Sequence, residues 1–97
     1  MDLTVSEVLS RAADLIEPEG KWTRGVYVGP DRNCWCVLGA IQRAGNFGHD
    51  DNRPVAFLKD LMGVAWLHEW NDDPNRTQAE VVAKLREGAA LARELGL

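Results

Sequence analysis

The chain has 97 residues, of which 45% are apolar and 27% charged, and its formal net charge is −4. This length predicts one globular domain over residues 1–97, since independent domains run from about 50 to 200 residues. The acidic balance and the lack of a basic stripe argue against nucleic acid and anionic membranes as partners. No apolar run approaches the ~18 residues of a membrane helix, and the start of the chain does not resemble a secretory signal.

The acidic excess and the cysteines are both local features. Residues 50–73 hold six acids and two bases, while the rest of the chain is balanced. We interpret this stretch as a solvated loop and helix face. Cys34 and Cys36 are the only cysteines, and a disulfide between them would close a small, strained ring. Two free thiols without a signal sequence favour the reducing cytoplasm.

The first and last helices have clear start signals. Thr4 and Glu7 have the spacing of a capping box, and apolar residues then repeat at three- and four-residue steps as far as Ile16. Thr77 and Glu80 repeat the capping pattern before a second amphipathic run that ends close to the C-terminus. The sequence therefore predicts a helix after each threonine.

Two more helices are predicted between these. One runs from about Cys34 to Ala44 with Asn33 as its cap, and the other begins near Pro54, which suits the first turn of a helix. Gly63 leaves open whether that helix continues, so residues 64–70 are either helix or strand.

The segment between the first two helices has a different character. Residues 21–28 are β-prone with one interrupting glycine, and a turn is predicted at Gly29-Pro30-Asp31. Residues 46–52 are polar and read as a loop. The predicted fold class is mainly α, with about four helices and a short strand or small β-hairpin between the first two.

The helix over residues 34–44 is the element that best suits chemistry. Gly39 and Ala40 lie on a face of small side chains, opposite an apolar face. This pattern predicts a central helix packed on two sides, with either a close neighbour or a ligand against the small face. Cys36 falls in the first turn, where free N–H groups and the helix dipole favour a thiolate. We expect Cys36 to be a buried core residue, because free cysteine usually packs as a small hydrophobe.

A nucleophilic Cys36 is the alternative. It requires a base, for which His68 is the candidate, and Asp72 or Asn71 to orient the imidazole. This arrangement is compatible with a cysteine-dependent hydrolase or transferase. The sequence shows no phosphate-binding glycine loop, no paired catalytic carboxylates and no zinc-ligand spacing, so neither a cofactor nor a metal is predicted. It therefore favours a protein that is not an enzyme without excluding one.

Four tryptophans are many for this length. Trp66 and Trp70 lie one turn apart if their stretch is helical, and they either enlarge a small core or form exposed anchors for a protein partner. At the corner that follows, Asn71 or Asp72 is expected to accept hydrogen bonds from backbone N–H groups.

Four segments together resemble a family of small, uncharacterised proteins of actinobacteria and their bacteriophages. These are Lys21-Trp22-Thr23-Arg24-Gly25, Cys36-Val37-Leu38-Gly39-Ala40, Trp70-Asn71-Asp72 and Thr77-Gln78-Ala79-Glu80-Val81-Val82. Cys36 and Asp72 match motif positions, whereas Cys34 and His68 do not, which disfavours a catalytic Cys36–His68 pair. The resemblance implies no activity or cofactor. A phage or prophage origin would imply an accessory protein that binds a host protein.

The sequence therefore predicts a small, soluble accessory protein that acts as a protein–protein interaction module, with Trp66 and Trp70 as partner-binding residues. The alternative is a cysteine-dependent enzyme that uses Cys36, His68 and Asp72. A further possibility is self-association through the small residues of the last helix, which would serve equally well inside a monomer: Gly88, Ala89 and Ala92.

Overall fold

The computed structural model describes residues 3–29, 33–45 and 52–97. The helices of these residues are α1 (Val5–Ile16), α2 (Val37–Ala44), α3 (Arg53–Met62), α4 (Leu67–Asp72) and α5 (Gln78–Glu94). The same residues form two isolated β-bridges and no sheet. The mainly α class is confirmed, with one helix more than expected, and the strand or hairpin predicted between the first two helices is wrong.

The predicted starts of the first and last helices are confirmed. In α1 the Thr4 hydroxyl accepts from the Glu7 N–H at 3.1 Å, and the Glu7 carboxylate accepts from the Thr4 N–H at 3.0 Å. Thr77 and Glu80 form the same reciprocal pair at the start of α5. Each cap satisfies N–H groups that have no partner within the helix, so a local sequence pattern is enough to fix both starts.

α1 is the central helix of the described residues, since it packs most extensively on α5 and also contacts α2 and α3. Gly88 of α5 permits this packing: an added Cβ would lie 3.0 Å from Leu58 Cδ1 and 3.2 Å from Leu9 Cδ1. Gly88 and Ala92 are both buried. Two of the small residues considered for self-association therefore pack inside the chain.

The side chain of Gln78 joins the end of α1 to the start of α5. Its Nε2 donates to the carbonyl oxygens of Ile16 at 2.6 Å and Pro18 at 2.9 Å, with a longer contact of 3.3 Å to Glu17. These carbonyls belong to the end of a helix, where no intrahelical donor is left for them. Gln78 therefore caps a helix that is remote from it in sequence.

Among the described residues, the β-prone run over residues 26–28 has no strand to pair with. Gly25 has a φ of +82° and turns the chain. Trp35 alone forms bridges to this region, one to Trp22 and one to Val28. A strand is stable only when it pairs with a neighbouring strand, so these β-prone residues do not form a hairpin. Its side chains stay in solvent, with Val26, Tyr27 and Val28 exposed by 50%, 49% and 42%.

α2 starts later than the sequence predicts, at Val37 instead of Cys34. Trp35 lies in an extended segment: its N–H donates to the Lys21 carbonyl at 2.9 Å, and its carbonyl accepts from the Thr23 N–H at 3.1 Å. These bonds engage the backbone that the predicted first turn would have used. The N-cap is consequently Cys36, and the predicted cap Asn33 is wrong.

The stretch left undetermined after α3 is largely helical. Gly63 ends α3 in the left-handed conformation with a φ of 68°, and the six-residue α4 follows from Leu67. No helix among the described residues is long and apolar enough to cross a membrane. Apart from Gly29 and Asn52, the predicted turn over 29–31 and loop over 46–52 lie outside the described residues, as do Asp50 and Asp51 of the acidic segment.

Candidate functional site

Asn71 is fully buried although its side chain is polar. Its Oδ1 accepts from the indole Nε1–H of Trp22 at 2.7 Å and from the backbone N–H of Val37 at 2.9 Å. Its Nδ2 donates to the carbonyl of Thr23 and to Asp72 Oδ1, both at 3.0 Å. These bonds use both lone pairs and both hydrogens of the amide, so its burial leaves no polar atom unpaired.

The residues on either side of Asn71 extend this network. Asp72 Oδ1 also accepts from the Gly25 N–H at 2.9 Å. The Arg76 guanidinium lies 4.1 Å from the centre of the Trp70 ring, and its Nε donates to the Trp70 carbonyl at 3.0 Å. Arg24 in turn donates to the Arg76 carbonyl. The corner after α4 is thus tied to the segment that follows α1. We call the set Trp22, Thr23, Gly25, Val37, Asn71 and Asp72 the Asn71 clasp.

The motif over residues 36–40 is also closely packed. Cys36 is 1% exposed, and its Sγ accepts from the Gly39 N–H at 3.4 Å. An added Cβ on Gly39 would lie 1.8 Å from the Tyr27 carbonyl oxygen, so only glycine lets this backbone approach α2. The same carbonyl accepts from the Cys36 N–H at 3.2 Å. Of the two alternatives for the small face of α2, a close neighbour or a ligand, the structure shows a close neighbour at Gly39: the backbone of Tyr27.

The surroundings of Cys36 disfavour a nucleophile. Burial raises the pKa of the Cys36 thiol and outweighs the lowering effect of the N–H groups of Gly39 and Leu38; the charge of Asp72 raises this pKa further. His68 lies in a cleft whose described lining includes neither Cys36 nor Asp72. Asp72 is near the thiol but is bonded within the clasp. This arrangement favours the core-thiol interpretation over the alternative enzyme.

A cleft of about 460 Å³ opens between α2, α3 and α4. This volume lies within the range of about 300–1,000 Å³ that is typical of ligand pockets. Large side chains of separate elements form its walls, and a few polar groups interrupt them. Its described lining includes Tyr27, Leu38, Ile41, Gln42, Asn52, Val55, Lys59, Trp66, Leu67 and His68.

The two tryptophans predicted to bind a partner have different surroundings. Trp66 lines the cleft and is 58% exposed. The centre of its ring lies 6.0 Å from that of His68 and 5.5 Å from Lys59 Nζ. Trp70 is partly buried against the core, and Arg76 covers its ring. Trp66 is therefore the better placed of the two to contact another molecule.

Sequence reasoning missed Tyr27 and Lys59 at this cleft. Tyr27 is distant from Trp66 in sequence and falls in the run predicted to be β, whereas Lys59 belongs to the preceding helix α3, and its proximity to the Trp66 ring depends on the turn after Gly63. The signal available was a run of large apolar residues between Gly25 and Gly29 in a chain without a second clear strand. Among the described residues, no three His, Cys, Asp or Glu side chains are grouped to hold a metal.

These features define a small helical protein that is held together by a buried amide and has an open, mainly apolar cleft. Residues 1–91 match the model of a family of unknown function (DUF6197), and the chain belongs to this family. The expected membership of an uncharacterised family is thereby confirmed. No curated protein and no solved structure matches the chain.

Replacing Asn71 with Asp tests the clasp. The variant keeps an oxygen for Trp22 and Val37 but turns the donor nitrogen into an acceptor that faces the Thr23 carbonyl and Asp72 Oδ1. We expect Asn71→Asp to lose about 3–5 kcal/mol of unfolding free energy at neutral pH, the usual penalty for an uncompensated buried charge. Urea denaturation measures this loss.

The matched control for this variant is Asn75→Asp, which makes the same change at an exposed turn residue. It should stay within about 0.5 kcal/mol of the wild type. The loss in Asn71→Asp should also shrink in acid, because a protonated carboxyl regains a donor. Equal stability of the two variants at neutral pH would contradict the role given to Asn71.

Thiol labelling tests the role of Cys36. Because the thiol is buried and its pKa is raised, it stays protonated at neutral pH and out of reach of reagents. In Cys34→Ser, where only Cys36 can react, we expect labelling of the native protein to be on the order of a hundredfold or more slower than in urea, since it must await an opening of the fold.

Cys36→Ser is the matched control. It keeps an N-cap acceptor for α2 and leaves the partly exposed Cys34 as the reactive thiol, so it should label without urea, much faster than Cys34→Ser. Rapid labelling of native Cys34→Ser would show an accessible Cys36 and would revive the cysteine-enzyme alternative.

Proposed function

We propose that this chain is a protein–protein interaction module whose partner packs into the cleft between α2, α3 and α4. The observation that carries the proposal is the meeting of Tyr27 and Trp66, both about half-exposed, at one apolar cleft. Tyrosine and tryptophan are enriched among the residues that contribute most to binding energy at interfaces. Neither side chain is needed to fill the core, and each leaves apolar area in water that a partner would cover.

The surface available to a partner extends beyond the cleft. Val26 and Val28 flank Tyr27 and are similarly exposed. Their position follows from the close approach of the Tyr27 backbone to Gly39. A fixed backbone that presents apolar side chains loses little conformational entropy on binding, which supports a preorganised interface. Trp66 is the anchor in this proposal, and Trp70 has the role of positioning the corner after α4.

The wider setting of the proposal comes from the sequence. The resemblance to small actinobacterial and bacteriophage proteins makes an accessory role, with a host protein as partner, the expected context. The two free cysteines suit the cytoplasm, where thiols stay reduced.

Site-specific photo-crosslinking in the cells that naturally make the protein tests this function. A benzophenone amino acid replaces Ala65, an exposed residue at the cleft, or Ala90, an exposed residue of α5 away from it. We expect a discrete crosslinked protein from position 65 and none from position 90. Mass spectrometry of the crosslinked band identifies the partner.

Competition with unlabelled protein shows whether the crosslink depends on the cleft. Excess wild type and Leu95→Ala should abolish it, because Leu95 is 60% exposed but does not line the cleft. Trp66→Ala should compete at least about tenfold less well, the effect of losing one interface anchor. Equal crosslinking from both positions, or full competition by Trp66→Ala, would contradict the proposal.

A further inference from the structure

Lys59 is a cation without an acidic partner among the described residues. Its Nζ lies 5.5 Å from the centre of the Trp66 ring, and the ion pairs of the described residues instead join Arg76, Lys84 and Arg86 to carboxylates. Lys59 is half-buried and lines the cleft. What distinguishes Lys59 is its place in the cleft beside an exposed indole.

The rest of the described lining leaves this positive charge unopposed. It contains apolar side chains, amides, one histidine and no Asp or Glu. His68 lies beside the same tryptophan as Lys59: the centre of its ring is 6.0 Å from that of Trp66. The described cleft therefore combines apolar walls with Lys59 and His68, both close to the Trp66 ring.

We infer that the cleft binds a peptide segment in which a large apolar side chain lies next to a carboxylate. This inference rests on the proposed function and names the chemistry of its partner. The apolar side chain would lie between Tyr27 and Trp66, and the carboxylate would accept from Lys59 Nζ. A charge-assisted hydrogen bond of this kind is stronger than a neutral one, and partial burial reduces its screening by salt.

Two features of the surface favour a peptide over a free small molecule. Val26 and Val28, on either side of Tyr27 in the chain, are also exposed apolar residues, so a longer ligand has further apolar side chains near Tyr27 to cover. The cation also lies beside the exposed Trp66. An acidic residue that flanks an apolar anchor in a chain can reach this position while its neighbours continue along the surface.

Selection from a library of random linear peptides tests this inference on the full-length protein. The library is panned on immobilised wild type, Lys59→Glu and Trp66→Ala, each checked for folding by circular dichroism. Wild type is expected to enrich peptides that pair a large apolar residue with Asp or Glu. Lys59→Glu should shift the enrichment towards Lys and Arg, and Trp66→Ala should lose it.

Titration of one enriched peptide, followed by tryptophan fluorescence, measures the contribution of the charge. We expect Kd to rise between about three- and tenfold in Lys59→Gln, and further in Lys59→Glu. Lys21→Glu reverses a charge on a half-buried lysine that does not line the cleft. It should leave Kd within about twofold of wild type, because salt screens the interaction between this distant charge and the peptide.

The outcomes separate this inference from the function on which it rests. The inference is overturned if the enriched peptides require Trp66 but contain no excess of Asp or Glu, or if Lys59→Glu still enriches acidic peptides. Either outcome remains consistent with the proposed interaction module. If Trp66→Ala still binds every peptide that wild type enriches, or if wild type enriches none, both the inference and the proposed function are contradicted. Acidic peptides that bind Lys21→Glu as poorly as Lys59→Glu indicate attraction by overall charge and also overturn the inference.

Discussion

The buried amide of Asn71 is the constraint on which the rest of this structure depends. It bonds to three parts of the chain at once: the segment after α1, the first turn of α2 and, through Asp72, the corner after α4. Asparagine suits this position because its side chain offers two acceptors and two donors on one small planar group. An apolar residue would leave the Val37 N–H and the Trp22 indole without partners, and burying such donors unpaired is costly.

The clasp also positions the candidate binding surface, although none of its residues is in the described lining of the cleft. Because Asn71 and Asp72 hold residues 22–25, the chain that follows must pass across α2, where Gly39 admits the backbone of Tyr27. Tyr27 thereby lines the same cleft as Trp66. Cys36 serves the same arrangement as N-cap of α2 and as donor to the Tyr27 carbonyl.

The sequence predicted those parts of the fold that are specified locally. α1 and α5 begin at capping boxes whose members are three residues apart, and their apolar faces are read directly from the periodicity. Three of the four hydrogen-bond partners of Asn71 lie 34 to 49 residues away. The local pattern therefore predicts a corner but not the distant groups that Asn71 binds there. The strand prediction failed for a related reason: β propensity over residues 26–28 does not reveal whether another strand is available. Of the candidate site, Trp66 was recognised from its type alone, whereas Tyr27 and Lys59 become neighbours of it only in the folded chain.

Native-state hydrogen exchange, followed by NMR, tests the central role of Asn71 most directly. The first N–H groups of a helix lack intrahelical acceptors and ordinarily exchange fast, but that of Val37 donates to Asn71 Oδ1 in the interior. We expect the Val37 amide and the Trp22 indole N–H to exchange as slowly as the core amide of Leu9, which opens only with the whole fold. Exchange of these two groups at the rate of exposed helix starts would contradict the account, because the clasp would then open independently of the core.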